Sequence, residues 1–487
     1  MTAPPATTAR QTGFSSRYRL SIAVLFSLGL SVALAQETGA ALTLTAAIER
    51  LPQSPDWQIA DLTYAASERA LENARAASNL SLNAGGSYGL TRQTNEITTT
   101  NPAPGGAAIV VSEAGAVTSN ANVSANASIN VLPWSNAQVQ ARSSELSLQR
   151  AAFDRSDARK NLMVNATNQY FAARIAATDL ELAKSNENLS EARLKVANQQ
   201  QANNQITREQ LLGSQQALEN AKVNTMAAKN TLELARLSLF NTLGLAPNDA
   251  TLSTTLSTPP TEYAMPKATL EALLKESLEK RGDLQKAKLR LQEAEEGLQA
   301  AQLNRWLPNS SINLGYGVQG SSGPNINGSL NIQSGLANVS TAYPVYQNPE
   351  PKTTNPALTF SVNVLIPILA PGQDAQVGSA QTNLETARKA LESAKRGAEL
   401  DLRQKYNEAF IATQRLSIAK LGLQSARSSL ETNQAKQTAG TITALDVQSA
   451  EQTTKQAERD LENALATTQV SGMRLQVALG KEPGEKN

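Results

Sequence analysis

The chain has 487 residues, room for two or three ordinary domains, yet only 4% are aromatic, so it lacks the bulky side chains that thick globular cores need. Its 44 basic and 42 acidic residues are interspersed, for a net charge of +2; no Lys/Arg stripe exists to neutralise a phosphate backbone, which excludes nucleic acid as a partner. With no Cys and no His, disulfides, thiolate or imidazole metal sites and Ser-His-Asp or Cys-His catalysis are all excluded, and an enzyme would be left with carboxylates alone.

The N-terminus reads as an export signal. Arg17 and Arg19 precede an apolar run over residues 20–32, too short to span a bilayer as a helix, and Ala33-Leu34-Ala35 forms an A-x-A cleavage site that makes Gln36 the first mature residue. No later segment is apolar for long enough to make a membrane helix. An exported chain of this kind is either soluble outside the inner membrane or a β-barrel.

Two repeats follow. A shift of 236 positions overlays Tyr170 on Tyr406, Ala183-Lys184 on Ala419-Lys420, Ile206-Thr207 on Ile442-Thr443, and Leu243-Gly244 on Leu479-Gly480. The predicted organisation is a signal peptide, 1–35; a first repeat, 36–244; a linker, 245–266, rich in Pro and Thr; a second repeat, 267–480; and a tail, 481–487. Each repeat reads as helix, strand, loop, strand, very long helix, turn, helix.

Within each repeat a helix precedes a pair of strands. Leu80, Leu82, Ala84 and Tyr88 alternate with Ser81, Asn83 and Ser87, and Ala121, Val123, Ala125, Ala127, Ile129 and Val131 alternate with Asn122, Ser124, Asn126, Ser128 and Asn130. The second repeat does the same at Ile312, Leu314, Tyr316 and Val318, and at Leu358, Phe360, Val362, Val364 and Ile366. One apolar face, one neutral polar face and about 9 to 11 residues per strand suit a tilted strand across a bilayer. Residues 91–119 and 320–356, rich in Gly, Pro, Asn, Ser and Thr, read as loops on one side of the membrane. Four strands cannot close a barrel, and an open edge in lipid is costly, so the chain must oligomerise; three copies would supply twelve strands.

Long helices follow each strand pair. Ala409, Ala412, Leu416, Ala419, Leu423, Ala426 and Leu430 keep a 3,4 spacing, as do Leu384, Ala387, Leu391, Ala394 and Ala398, with a slip of four residues through Leu402 and Tyr406. A helix of about 65 residues is roughly 100 Å long. The two shorter helices of each repeat, stacked end to end, match that length. The expected fold is thus an α+β membrane protein: long antiparallel coiled coils forming a helical tunnel, plus four transmembrane strands per chain closing a 12-stranded barrel in a trimer.

The sequence resembles the TolC family of outer-membrane efflux proteins from Leu42 to Gly480. The resemblance rests on Gly440-Thr441-Ile442-Thr443-Ala444-Leu445-Asp446-Val447, on the ending Leu475-x-x-Ala478-Leu479-Gly480, and on Leu303-x-x-x-Leu307-Pro308 where a helix passes into a strand. It implies a homotrimer in outer-membrane lipid, with its helical tunnel in the periplasm. A periplasmic adaptor and an inner-membrane transporter are its implied partners, in a tripartite efflux or type I secretion system, and no cofactor is implied. It also implies a periplasmic aperture narrowed by acidic residues, of which Asp446 matches the first. The second matching position is Ser449, and Ile442 replaces a basic residue of the family's tip. A ring of like charges at Asp446 would raise some of its own pKa values; the plainer reading of Asp446 is a solvated helix-face charge. The tip turns at Asn203, Asn204 and Gln205, and at Thr438, Ala439, Gly440 and Thr441, are the implied adaptor contacts. A coiled-coil envelope spacer without transport is the competing reading, and a carboxylate hydrolase a third, disfavoured because the acids are scattered along helix faces.

Overall fold

The computed structural model describes residues 42–99, 109–246, 256–318, 323–348, 355–366 and 368–484. The expected export signal and residues 247–255 of the expected linker lie outside the described residues. Eight helices are described: α1 (Leu44–Arg50), α2 (Pro55–Ser78), α3 (Asn136–Ala202), α4 (Arg208–Leu243), α5 (Leu270–Lys280), α6 (Gly282–Trp306), α7 (Pro371–Thr438) and α8 (Ala444–Ala478).

The architecture follows from the two long rods. Helices α3 and α7 have 67 and 68 residues, about 100 Å each at 1.5 Å per residue. No proline interrupts either rod after its first turn, and Ser135 caps α3 by accepting from the Gln138 N–H at 3.3 Å. Helices α2 and α4 lie along α3, and α6 and α8 along α7. The buried positions of α7 include Leu384, Ala398, Leu402, Ala409, Ala412, Leu416, Leu423 and Ala426. These belong to the heptad runs and to the slip between them, so the expected register is the packing register. Alternating Ala with Leu keeps the seam thin and lets neighbouring backbones approach closely.

Two glycines join the short helices end to end. Gly244 terminates α4 at φ +70, and a Cβ there would stand 2.7 Å from Cδ of Pro55, the first residue of α2. Gly480, just past α8 at φ +81, would place a Cβ 2.9 Å from the Lys280 backbone at the end of α5. Both sites combine a left-handed backbone with a close approach, and only glycine meets both conditions.

The strands are β1 (Ser81–Thr99), β2 (Ile109–Asn130), β3 (Asn309–Gly317), β4 (Asn325–Asn331), β5 (Leu336–Asn348) and β6 (Ala357–Leu365). They form one antiparallel sheet in the order β1-β2-β5-β4-β3-β6. Six strands, not the expected four, are therefore described, and two expectations need correction. Residues 320–356 are not simply a loop, because β4 and β5 make a hairpin that pairs with β2 on one side and β3 on the other. Nor do residues 91–119 form one loop: β1 and β2 stay paired out to Thr99 and Ile109, past a register shift between Arg92 and Thr94. A composition rich in Gly, Asn, Ser and Thr suits turns, but it equally suits a strand whose one face is wet. Pro344 sits where the β2–β5 register shifts, a bulge that tolerates the missing N–H.

Among the described residues the larger buried cluster lies midway along the rods. Tyr170 and Phe171 of α3 pack there edge to face at 5.6 Å between ring centroids, among Leu42, Leu51, Leu239, Leu243 and Met473. The Tyr170 hydroxyl donates to the Leu42 carbonyl at 2.8 Å and accepts from the Thr258 N–H at 3.0 Å. It thereby fastens the strand-like residues Leu42 and Leu256, bridged in parallel, to the rod. Tyr170→Phe strips the partner from both backbone groups, and a cost of about 1–3 kcal/mol is expected. Gly472→Ala drives a Cβ to within 2.2 Å of the Tyr263 ring, an overpacking cost of about 1–3 kcal/mol despite alanine's better helix propensity. Both variants should lower the thermal unfolding midpoint; an unchanged midpoint for either would contradict this account of the core.

Candidate functional site

The candidate site is a wall and a tip rather than a pocket. In the wall, cross-strand register aligns the two faces across all six strands. One apolar row runs Leu82, Ala127, Val339, Gly328, Leu314, Phe360. The polar row beside it runs Ser81, Ser128, Asn338, Ser329, Asn313, Ser361. The apolar face is open in the single chain: Leu82 is 74% exposed and Phe360 68%. A soluble sheet would cover such an apolar face with a second layer, but none of the described elements does so. The polar face carries its own bonds, including Ser81 to Ser128 at 2.7 Å and Asn331 Nδ2 donating to Asn309 Oδ1 at 3.2 Å.

Residues 81–91 and 118–130 and the whole of β3 to β6 contain no Asp, Glu, Lys or Arg. The polar face is therefore neutral. Exposed aromatic side chains flank the apolar band, with Tyr88, Tyr316, Tyr343 and Tyr346 toward one end and Trp306, 78% exposed, at the helix end. Strand β3 (Asn309–Gly317, 9 residues) is roughly 30 Å long, and at a tilt of about 45° it spans roughly 20 Å, most of the height of a lipid-facing band between aromatic girdles.

At the far end of the rods the two turns share one geometry. Asn204 (φ 55) and Gly440 (φ 72) both sit in the left-handed region. The N–H of the following residue, Gln205 or Thr441, donates back to the carbonyl of Gln200 or Lys436 at 2.8 or 3.0 Å. Thr441 adds its hydroxyl to the Lys436 carbonyl at 2.9 Å, and Thr438 donates to the Gln434 carbonyl at 3.0 Å. Each turn leads into a capping box, Thr207 with Gln210 and Thr443 with Asp446. The turn residues expected as contacts, Asn203, Asn204, Gln205, Thr438, Ala439, Gly440 and Thr441, are all exposed.

The matched capping boxes make Gln210 the counterpart of Asp446, so only the second repeat carries a charge there. Asp446 Oδ2 accepts from the Thr443 hydroxyl at 2.7 Å and from its N–H at 2.8 Å. These bonds, side-chain first, then backbone, with a smaller contribution from Arg193, hold its carboxyl below the usual carboxylate value. Within one chain Asp446 is thus a stabilised anion at a helix N-terminus, opposite in direction to the rise expected for a like-charge ring.

A ladder of polar contacts that the sequence did not single out joins α3 to α8. Arg459 grips Asp179 with two bonds, at 2.7 and 3.0 Å. Arg174 pairs with Glu462, to which Thr178 also donates at 3.3 Å. Nearer the tip, Gln452 donates to the Leu182 carbonyl at 3.0 Å, Lys455 to Ser185 at 3.2 Å, and Arg193 to Ser449 at 3.3 Å. The hydrogen bonds of Asp179 raise the Arg459 pKa further above its ordinary value, as a charge-assisted bidentate pair should. Among the described residues no group of three or more His, Cys, Asp or Glu is placed to hold a metal ion, and no helix is long and apolar enough to cross a membrane.

An unsealed sheet with one apolar and one neutral polar face, carried on coiled coils about 100 Å long, is the protomer fold of outer-membrane channels. Similar solved structures include VceC from Vibrio cholerae (15% identity, 90% of this chain and 96% of that one, TM-score 0.62). CmeC from Campylobacter jejuni (14%, 99% and 96%, 0.65) and the open state of MtrE from Neisseria gonorrhoeae (18%, 91% and 91%, 0.62) share the fold as well. Residues 273–481 match the family model described as outer membrane efflux protein. It is 28% identical to the outer membrane protein TolC of Escherichia coli strain K12 over 212 residues, which are 43% of this chain but only 40% of that relative's length.

Because the folded Asp446 carboxyl is depressed, its contribution to the first turn of α8 is present above the ordinary carboxylate range and is lost as pH falls through the lowered value. Hydrogen-exchange protection of the first amides of α8 should therefore hold from neutral pH down to that range and drop below it. Asp446→Asn should remove the pH step. Persistence of the step in Asp446→Asn would assign it to another group.

Proposed function

We propose that the chain is one protomer of a trimeric outer-membrane export duct, a passive conduit with no catalytic role. The observation that carries this reading is the two-faced sheet with unpaired edges at β1 and β6. In hydrocarbon no water is available to an unpaired backbone group, so the edge of one chain has to meet the edge of the next. Ring closure then puts the apolar rows against lipid and the Asn/Ser/Thr rows around a wet lumen. Continuous coiled coils of about 100 Å carry that lumen into the periplasm.

On this reading residues 1–35 are removed on export, 36–244 and 267–480 are two structural repeats joined by 245–266, and 481–487 is a tail. The exposed turns at Asn203, Asn204, Gln205, Thr438, Gly440 and Thr441 meet a periplasmic adaptor protein, behind which stands an inner-membrane transporter. Asp446 contributes one carboxylate per chain to a periplasmic aperture. The family domain and the TolC relative support an outer-membrane efflux role. The coiled-coil spacer accounts for the rods, but it gives no reason for a neutral polar row in register across every strand.

Purified protein reconstituted in planar bilayers should form discrete conducting channels as a trimer; a trimer that never conducts would leave the spacer reading in its place. The uncharged wall makes a second prediction. The barrel itself should discriminate weakly between small cations and anions, and Asn313→Asp, adding three lumen carboxylates per trimer, should shift the reversal potential toward cation preference. No shift would mean that the Asn313 row does not face the ion path.

A further inference from the structure

We propose that the β4–β5 hairpin is a permanent part of the barrel wall, so that the three-chain barrel has eighteen strands and a wider bore than the helices beneath it. The inference rests on the duct reading above and deepens it by stating where along the conduit size selection falls.

Three observations carry it. The hairpin is bonded on both flanks: β5 pairs with β2 from Ser119↔Asn348 to Asn130↔Leu336, and β4 pairs with β3 from Ser311↔Asn331 to Gly317↔Asn325. Between them, β2 and β3 have no direct pairing in the strand order. A loop merely folded over the rim would leave these two strands to pair with each other.

The hairpin is also in phase with both neighbours. Ile326, Leu330, Ala337 and Val339 continue the apolar rows, and Asn325, Asn327, Ser329, Asn338 and Ser340 continue the polar ones. A slip of one residue on either flank would reverse every one of these side chains. Lipid on one side and water on the other is the environment that the alternation fits.

Finally, the β4–β5 turn reaches the base of the wall and is fastened there to both halves of the chain. Ile332 N–H donates to the Ser310 carbonyl at 2.8 Å, and Val131 N–H to the Gly335 carbonyl at 2.9 Å. Trp134 Nε1, at the entry to α3, donates to the Ile332 carbonyl at 2.9 Å. Gln333 reaches the Asn304 carbonyl near the end of α6 at 3.1 Å. Gly335, at φ +69, lies so close to Leu132 and Ser135 that a Cβ would stand 2.8 Å from the Ser135 side chain. The hairpin therefore runs beside β3 from Gly317 to Ser311 and beside β2 from Ser119 to Asn130, and ends on the helix junction.

Barrel diameter grows roughly in proportion to strand number, and barrels of 16 to 18 strands leave an aqueous channel. Eighteen strands give a bore about one and a half times that of twelve. The added hairpin turns back on itself at residues 332–335 and feeds no helix, so each chain still sends only four strand ends into rods. The tunnel below gains nothing, and the narrowest place falls on the helices. The neutral, widened barrel would then pass any hydrophilic cargo that the helical part admits.

The chain has no native Cys, so paired cysteines report register in the membrane-assembled protein. Ala125→Cys with Thr341→Cys, and separately Asn126→Cys with Ser340→Cys, place thiols on partners across β2 and β5. The control is Leu82→Cys with Ala127→Cys across β1 and β2. The rival arrangement, β2 directly on β3, is probed by Ala127→Cys with Leu314→Cys, which stand level in one apolar row. In outer-membrane trimers, oxidation should give an intrachain β2–β5 disulfide in yield comparable to the control and none above background for β2–β3. Trimers that conduct yet form the β2–β3 bond, or fail to form the β2–β5 bond while the control forms, overturn the eighteen-strand wall and leave the duct standing. Absence of trimers or of conductance overturns the duct itself, and this inference with it.

Discussion

Backbone N–H and C=O groups must be paired wherever water cannot reach them, and the sheet of this protein meets that demand only in part. Its interior strands satisfy one another, while β1 and β6 each present one unbonded edge. In water such edges are a tolerable liability; in hydrocarbon each unpaired group costs several kcal/mol. Much else follows from that constraint. With lipid on one face and water on the other, as proposed above, the sheet would need no covering layer, and the chain would need few aromatic residues. The bulky side chains it has are spent on the Tyr170–Phe171 cluster and on exposed girdles at the ends of the apolar band.

The rods obey a different economy. A seam of alternating Ala and Leu is thin, and its stability comes from length rather than depth. Each long helix is matched by two shorter ones, and the joints fall at Gly244 and Gly480, where a left-handed residue lets α4 end against the start of α2 and α8 against the end of α5. The thick core sits beside these joints, where chain ends and crossings would otherwise leave backbone groups without partners. The α3–α8 ladder, from Arg174 to Arg193, then ties one repeat to the other on the way to the tip. Each partly exposed pair in it is worth little alone, but the pairs fix the relative height of the two helices.

The tip shows how duplication and divergence combine. Both turns use the same left-handed residue and the same capping box, 236 positions apart. Asn204 does at some conformational cost what Gly440 does freely, and Gln210 caps without the charge that Asp446 brings. Each chain thus carries one carboxylate at this level rather than two, held below the usual carboxylate value by its bonds to Thr443.

The sequence alone was enough for everything governed by local period or local chemistry. Helices α3 and α7, the strand pairs around Leu82 and Phe360, both tip turns and the end of α4 at Gly244 are each legible from spacing, capping residues or a lone glycine. What it could not show is which distant segments share a register. Residues 325–348 have the Gly, Asn, Ser and Pro content of a loop, and only their pairing with β2 and β3 makes them wall. Residues 91–99 and 109–117 look like loop for the same reason, until each is seen to lie along the other. The α3–α8 ladder depends on the relative height of two helices some 280 residues apart, which no periodicity encodes. Strand identity in a polar segment is settled by the neighbour's hydrogen bonds rather than by the segment's own side chains, and that is why tertiary structure alone could decide it.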